Sequence, residues 1–143
     1  PECNLNLIDT MDKSSICIER GRTGTFYIAL GVDGIWKMQY NITNDKITFK
    51  KITDGNKTFY RIGLGIGPDG DFLRGLKSIY AAAIIDGMYG FYRSDDDGAS
   101  WLRINNDNQM FGQIDCICGD ARSFGRFYIA TGSRGLLYGE PIQ

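Results

Sequence analysis

Between Tyr92 and Asn105 the chain reads YRSDDDGASWLRIN, with three consecutive carboxylates, Asp95, Asp96 and Asp97, ahead of Gly98. Acids at this density could serve as a general acid and base, or hold a hard cation through oxygen ligands. The spacing within the stretch argues for a different use. Ser94-x-Asp96-x-Gly98-x-x-Trp101 sets two short polar side chains before a glycine and an aromatic ring after it. Ser and Asp at such offsets bond nearby backbone N–H groups, Gly tolerates the backbone of a tight hairpin, and Trp101 can cover the turn with its ring. The stretch is read as a turn between two strands in which the acids are structural.

The remaining inventory narrows the chemistry further. The chain has no histidine, which removes Ser-His and Cys-His nucleophiles and every His-based zinc or copper site. Cys3, Cys17, Cys116 and Cys118 include no CxxC pair. Cys116 and Cys118, two apart, would share one face of a strand. Buried small side chains or one disulfide explain the four thiols better than a metal site using all of them. No metal and no cofactor is therefore expected here. A net charge of −1 gives none of the basic excess of a nucleic-acid binder. No apolar run reaches the roughly 18 residues of a membrane span, so neither nucleic acid nor membrane is expected as a partner. The chain opens at Pro1 without an initiator Met or a signal peptide, as expected of a mature product or a fragment. Sequons at Asn41 and Asn56 fit a secreted protein.

The elements that must carry the turn are strands. No long window has helical periodicity, and 19 glycines against 3 prolines suit many tight turns. Alternating apolar and aromatic runs predict strands at 15–18, 26–30, 35–40 and 47–52, then 61–65, 78–85, 90–94 and 101–105, then 114–118, 126–131 and 136–138. The runs GTFYIALGVDGIWKM, KSIYAAAIIDGMYGFYRS and GRFYIATGSRGLLYG repeat one pattern, with Tyr27, Tyr80 and Tyr128 in register, 53 and 48 residues apart. A period of about 40–50 residues with four strands per unit is the mark of β-propeller blades. The expected fold is all-β: four-stranded antiparallel propeller blades forming an incomplete propeller segment. Residues 1–14 would lead in from a preceding blade, 15–60 and 61–113 would each form a blade, and 114–143 would give three strands of a closing blade. Propellers use about 4–8 blades, so the flanks of this segment should need cover from the remaining blades of the same protein or from other chains.

Two resemblances sharpen the reading. The Ser94, Asp96, Gly98, Trp101 spacing is similar to the Asp box found between the third and fourth strands of sialidase-like blades, whereas NITND at the same place in the first unit lacks the motif. Over 90–141 the chain also resembles the C-terminal end of glycoside hydrolase family 74. The resemblance is carried by Ile104-Asn105-Asn106-Asp107, Phe111-Gly112, Gly119-Asp120-Ala121-Arg122 and Arg134-Gly135-Leu136-Leu137-Tyr138-Gly139. Gly132-Ser133 stands where that family commonly has Asn-Gly, and the match is looser over 15–67.

This resemblance implies the last two blades of the second of two seven-bladed propellers that face each other across a cleft. It further implies a secreted, extracellular, inverting endo-β-1,4-glucanase acting on xyloglucan or a related β-glucan. The family's two catalytic aspartates lie in early blades, outside this segment, so the chain alone is expected to be inactive and to contribute cleft wall. If each fourth strand returns to the substrate face, loops 54–59, 106–112, 31–34, 86–90 and 132–135 lie there. Tyr89, Asn106, Gln109, Phe111 and Arg134 then have the chemistry to bind sugar, rings for its apolar face and planar polar groups for its hydroxyls. Tyr89 and Phe111 would serve equally well as loop anchors. The competing function is a non-enzymatic ligand- or partner-binding propeller of the sialidase or sortilin type. A short chain that oligomerises to complete a ring is a further option. The Gly-Asp-x-Arg turn and the Arg-Gly-x-x-Tyr-Gly close favour the glycosidase.

Overall fold

The structure is a computed structural model that describes residues 14–19, 24–70 and 77–141. The expected lead-in, Ser14 apart, and Cys3 lie outside the described residues. Eleven strands and no helix occur among those described. β1 (Ser14–Ile18), β2 (Thr25–Leu30), β3 (Ile35–Asn41) and β4 (Lys46–Lys51) form one antiparallel sheet in sequence order. β5 (Lys57–Ile66), β6 (Lys77–Ile85), β7 (Met88–Ser94) and β8 (Leu102–Arg103) form a second. β9 (Ile114–Gly119), β10 (Phe127–Thr131) and β11 (Gly135–Gly139) form a third of three strands. Consecutive antiparallel hairpins of this kind are the blade architecture that the repeat predicts.

The three sheets stack face to face, and the alternation along each strand decides which side is covered. In β6, Ala81 and Ala83 point with Ile79 into a core shared with Tyr27, Ala29 and Ile35 of the first sheet. Tyr80 and Ala82 point the other way, into a core shared with Ile117, Phe127 and Ile129 of the third. The middle sheet is buried on both faces, and its three consecutive alanines let both neighbours approach. The first strands of the sheets converge, β5 packing on both β1 and β9. Glycine is required at that contact, because a Cβ on Gly63 would stand 2.0 Å from the Ile117 carbonyl oxygen and one on Gly65 2.7 Å from Gly119 Cα. An ion pair, Lys77 Nζ to Glu19 Oε1 at 2.8 Å, ties β6 to the end of β1 with both side chains largely buried.

The two outer faces are apolar and open. Pairing register aligns Ile16 with Ile28 and Trp36, and Ile18 with Phe26, Met38 and Phe49, on the side of the first sheet turned away from the stack. Ile16 and Ile18 are 63% and 62% exposed. At the other end, Cys116, Cys118, Leu136 and Tyr138 share the outward side of the third sheet, with Leu136 72% exposed.

Every expected strand is present, and three boundaries differ by more than one residue. β5 begins at Lys57 rather than 61, so residues 57–60, placed at the end of the first unit, belong to the second sheet, and the loop expected over 54–59 ends at Asn56. The cause is Phe59, whose N–H and carbonyl bond the carbonyl and N–H of Gly31 in the first sheet at 3.0 and 3.1 Å. β7 begins at Met88, because Asp86 and Gly87, with φ of 52° and 79°, complete a two-residue hairpin by themselves. β8 is cut to two residues because Asn105 Oδ1 accepts the Phe91 N–H at 2.8 Å, so the next rung keeps only the backbone bond from the Ile104 N–H to the Phe91 carbonyl.

Candidate functional site

The acidic turn sits at the C-terminal end of β7, and each of its acids is committed. The Ser94 hydroxyl donates to Asp96 Oδ1 at 2.8 Å and accepts the Gly98 N–H at 2.9 Å. Asp96 Oδ1 also accepts the Ser100 N–H at 2.8 Å, and its other oxygen takes the Ser100 hydroxyl. Trp101 Nε1–H donates to the Gly98 carbonyl at 3.0 Å, and its ring meets Phe59 at 4.9 Å between centroids. Asp97 and Gly98 both have positive φ, 59° and 92°. Asp95 accepts the Ser78 hydroxyl and Arg93 Nε. Asp97 reaches across to the first sheet, accepting the Tyr27 hydroxyl at 2.7 Å and Lys37 Nζ at 2.8 Å.

The electrostatics of these acids fit structure rather than proton donation. Hydrogen bonds from Ser100, helped by Ser94, hold the Asp96 carboxyl below its usual range against some desolvation. Partial burial pushes Asp97 up, but the bonds from Lys37 and Tyr27 and the charges of Lys37 and Lys77 outweigh it and leave Asp97 lowered. A general acid needs a carboxyl raised toward neutrality. These two are held ionised. Tyr27 is pushed the other way, by burial and then by its bond to Asp97, so its hydroxyl remains a donor.

The five expected sugar-binding residues lie near the other end of β7, but not as one group. Tyr89 lies within β7 opposite Ile84, not in a loop, and its hydroxyl donates to the Gly112 carbonyl at 3.4 Å. Asn106 and Gln109 brace their own loop: Gln109 Oε1 accepts the Asn106 N–H at 3.0 Å and Asn106 Oδ1 accepts the Asn108 N–H at 3.0 Å. Asn105 pins that loop to β7, its amide donating to the carbonyls of Asn106 and Gln109. Phe111 lies parallel to Phe91, 6.3 Å between centroids and 6° between planes, and packs on the second core. Gln109 and Phe111 line a cavity of about 170 Å³ with Phe91, Phe127 and Tyr138. Arg134 is exposed in the β10–β11 turn, where its N–H donates to Thr131 Oγ1 at 2.8 Å.

Sequence reasoning passed over Tyr60. The register of β5 against β6 slips between Phe59 and Arg61, so Tyr60 is the extra residue of a β-bulge. Its ring comes within 6.2 Å of Tyr89, while Arg61 Nε donates to the Asp115 carbonyl at 3.0 Å. Only the unbroken aromatic pair Phe59-Tyr60 beside Arg61 hinted at it in the sequence.

A larger cavity of about 430 Å³ lies among β1, β5 and β9, lined by Cys17, Ile62, Leu64, Lys77 and Cys118. Its walls are mainly apolar, with Glu19 and Lys77 paired at its edge. Burial pushes the Cys17 thiol up to about 12, partly offset by the charge of Lys77. Cys17, Cys116 and Cys118 are free thiols. Among the described residues no three His, Cys, Asp or Glu side chains gather in a way that could hold a metal ion.

No family model matches the chain. Individual proteins do. A xyloglucanase from a Paenibacillus species is 39% identical over 112 residues, 78% of this chain and 10% of that protein. The xyloglucanase Xgh74A of Acetivibrio thermocellus is 44% identical over 88 residues, 60% of this chain and 10% of its own length. Among solved structures, the GH74 xyloglucanase from Xanthomonas campestris superposes with a TM-score of 0.74 at 30% identity, covering 90% of this chain and 17% of that one. This chain matches a segment of glycoside hydrolase family 74. A GH74 enzyme from Niastella koreensis gives a TM-score of 0.69 at 27% identity over 86% of this chain and 17% of its own. The chain thus spans about a tenth to a sixth of the length of the relatives it matches.

Proposed function

We propose that this chain is a propeller segment of an enzyme that hydrolyses xyloglucan, contributing fold and cleft wall rather than the bond-breaking carboxylates. The observation that carries this reading is the 39% identity over 112 residues to a xyloglucanase, joined to the match in fold. The two open apolar faces support it physically. Sheets that expose Ile16, Ile18 and Leu136 this fully need cover, and in this reading the remaining blades of the same enzyme supply it. The 94–101 turn is then the Asp box, with Ser94, Asp96, Gly98 and Trp101 holding a blade together. Tyr89, Asn106, Gln109, Phe111 and Arg134 belong to the cleft side. The enzyme acts outside the cell, where its polymeric substrate is found, and Asn41 and Asn56 are exposed as glycan acceptors would have to be. A sortilin-like binding role is not favoured, since the relatives and solved structures named above are xyloglucanases or GH74 enzymes.

In an inverting hydrolysis, one carboxylic acid protonates the leaving oxygen while a second carboxylate activates water on the opposite face of the ring. The acid role does not suit Asp96 or Asp97, whose carboxyls are lowered. Hydrogen bonds to Ser94, Ser100, Tyr27 and Lys37 already occupy their oxygens and count against the base role. The test is direct. The full polypeptide carrying this sequence should release reducing ends from xyloglucan, and proton NMR of early products should show the α-anomer first. Absence of hydrolysis, or β-anomer first, contradicts the reading.

A further inference from the structure

We infer that Tyr60, Tyr89 and Asp115 form a binding subsite for one glucosyl ring of the polysaccharide, a site centred on the bulge of β5 rather than on the 106–112 loop. The inference rests on the xyloglucan reading above and deepens it.

Tyr60 is the one residue of β5 without a partner position on β6, and a bulge of this kind re-aims a side chain. The bulge is held from both sides, by the Phe59–Gly31 bonds to the first sheet and by the Arg61–Asp115 bond to the third. Its product is a pair of half-buried tyrosines, Tyr60 and Tyr89, with centroids 6.2 Å apart and planes tilted by 55°. That geometry is too open for the rings to cover one another face to face. Tyr89 is fixed by its hydroxyl on Gly112, three residues before Asp115. Burial, and then the neighbouring Tyr60, raise the Tyr89 phenol, which keeps it a neutral donor.

Asp115 completes the chemistry. It is exposed, its Oδ1 lies 3.4 Å from the Gln113 amide, and a side chain at Gly132 would stand only 3.6 Å from Oδ2. Arg61 joins the two parts of the site, its Nη1 donating to the Tyr60 carbonyl at 2.8 Å and its Nε to the Asp115 carbonyl at 3.0 Å. An aromatic surface with a carboxylate and an amide on the strand so linked suits a neutral pyranose with equatorial hydroxyls. The C–H face lies on a ring, and adjacent hydroxyls at the sugar's rim donate to the two carboxylate oxygens. Phe111, by contrast, has its ring laid parallel on Phe91.

The experiment uses the full polypeptide, a xyloglucan oligosaccharide as probe, calorimetric binding and melting temperature. Tyr60→Ala should weaken binding roughly tenfold, the loss of about one stacked ring, at an unchanged melting temperature, and Tyr60→Phe should restore it. Asp115→Asn should also weaken binding, since an amide accepts fewer hydroxyl protons than a carboxylate. If the parent protein neither binds nor cleaves the probe, the xyloglucan reading itself fails. If the parent binds and both Tyr60→Ala and Asp115→Asn bind equally well, the subsite is wrong while that reading stands. A fall in melting temperature on Tyr60→Ala with unaltered binding would make the bulge purely structural and overturn the inference. Should Tyr60→Ala fail to fold, Asp115→Asn decides, its unaltered binding counting against the subsite.

Discussion

Two hairpin turns occupy the same place in successive sheets, 41–46 between β3 and β4 and 94–101 between β7 and β8, and they are held in opposite ways. The first is self-sufficient. Asn41 Oδ1 accepts the Thr43 N–H at 2.9 Å, Asn44 Oδ1 accepts the Lys46 N–H at 3.2 Å, and the Tyr40 hydroxyl donates to Asp45 at 2.9 Å. All six of its residues are exposed. The second uses the same kind of local bond but adds reach. Ser94 is 1% exposed, Trp101 lies on Phe59, and Asp97 grips Tyr27 and Lys37 in the neighbouring sheet. Even the missing side chain of Gly98 matters, since a Cβ there would stand 3.0 Å from the Ile52 carbonyl oxygen. Both turns are good turns. Only the second is a joint between sheets, and that is why it carries the denser motif.

The sharpest way to break this comparison is Trp101→Ala. Losing a half-buried indole and its hydrogen bond should cost about 2–3 kcal/mol, seen as a lower melting temperature. Asp97→Ala should cost about 1–2 kcal/mol through two lost bonds, one to a charged partner. In a double-mutant cycle with Tyr27→Phe the losses should not add, because the two side chains share a bond. Additive losses would mean that the sheets are joined elsewhere. Asn44→Ala should cost under about 0.5 kcal/mol, as for most exposed positions.

The two sides of the pH profile follow from different residues. Asp96 and Asp97 have folded values below the ordinary carboxylate value of 3.8. Their contribution is present above that value and is lost as pH falls through the lower folded values. Cys17 is raised from 9.0 to about 12, so its contribution is full below about 9 and is lost as pH rises toward 12. A melting-temperature profile should fall on both flanks, and Cys17→Ala should make the alkaline fall begin later, the buried Tyr27 and Tyr80 phenols, also raised, supplying the rest.

Much of this was legible in the sequence, because strand alternation and the Tyr27, Tyr80, Tyr128 repeat are local signals. The turn at 94–101 was legible for the same reason, its hydrogen bonds spanning four residues or fewer. What escaped depends on contacts between distant segments. The partner of Asp97 lies 70 residues away, at Tyr27. The bulge at Tyr60 goes with the bridge from Phe59 to Gly31, and in Thr58-Phe59-Tyr60-Arg61 only the adjacent aromatics hint at where the alternation slips. β8 stops early because the side chain of Asn105, rather than a backbone group, takes the Phe91 N–H. The alternatives left open for Phe111 differ by a ring's contacts: its ring lies parallel to Phe91 and also lines the cavity beside Gln109.

The most direct test of the central claim, that the acidic turn holds the blade while the chemistry lies elsewhere, is Asp96→Ala in the full polypeptide. Xyloglucan turnover would be measured well below the melting transition, alongside the melting temperature itself. The expected result is a loss of stability of about 1–2 kcal/mol with turnover by the folded protein retained. A collapse of turnover at an unchanged melting temperature would contradict it, and would place Asp96 among the reacting groups.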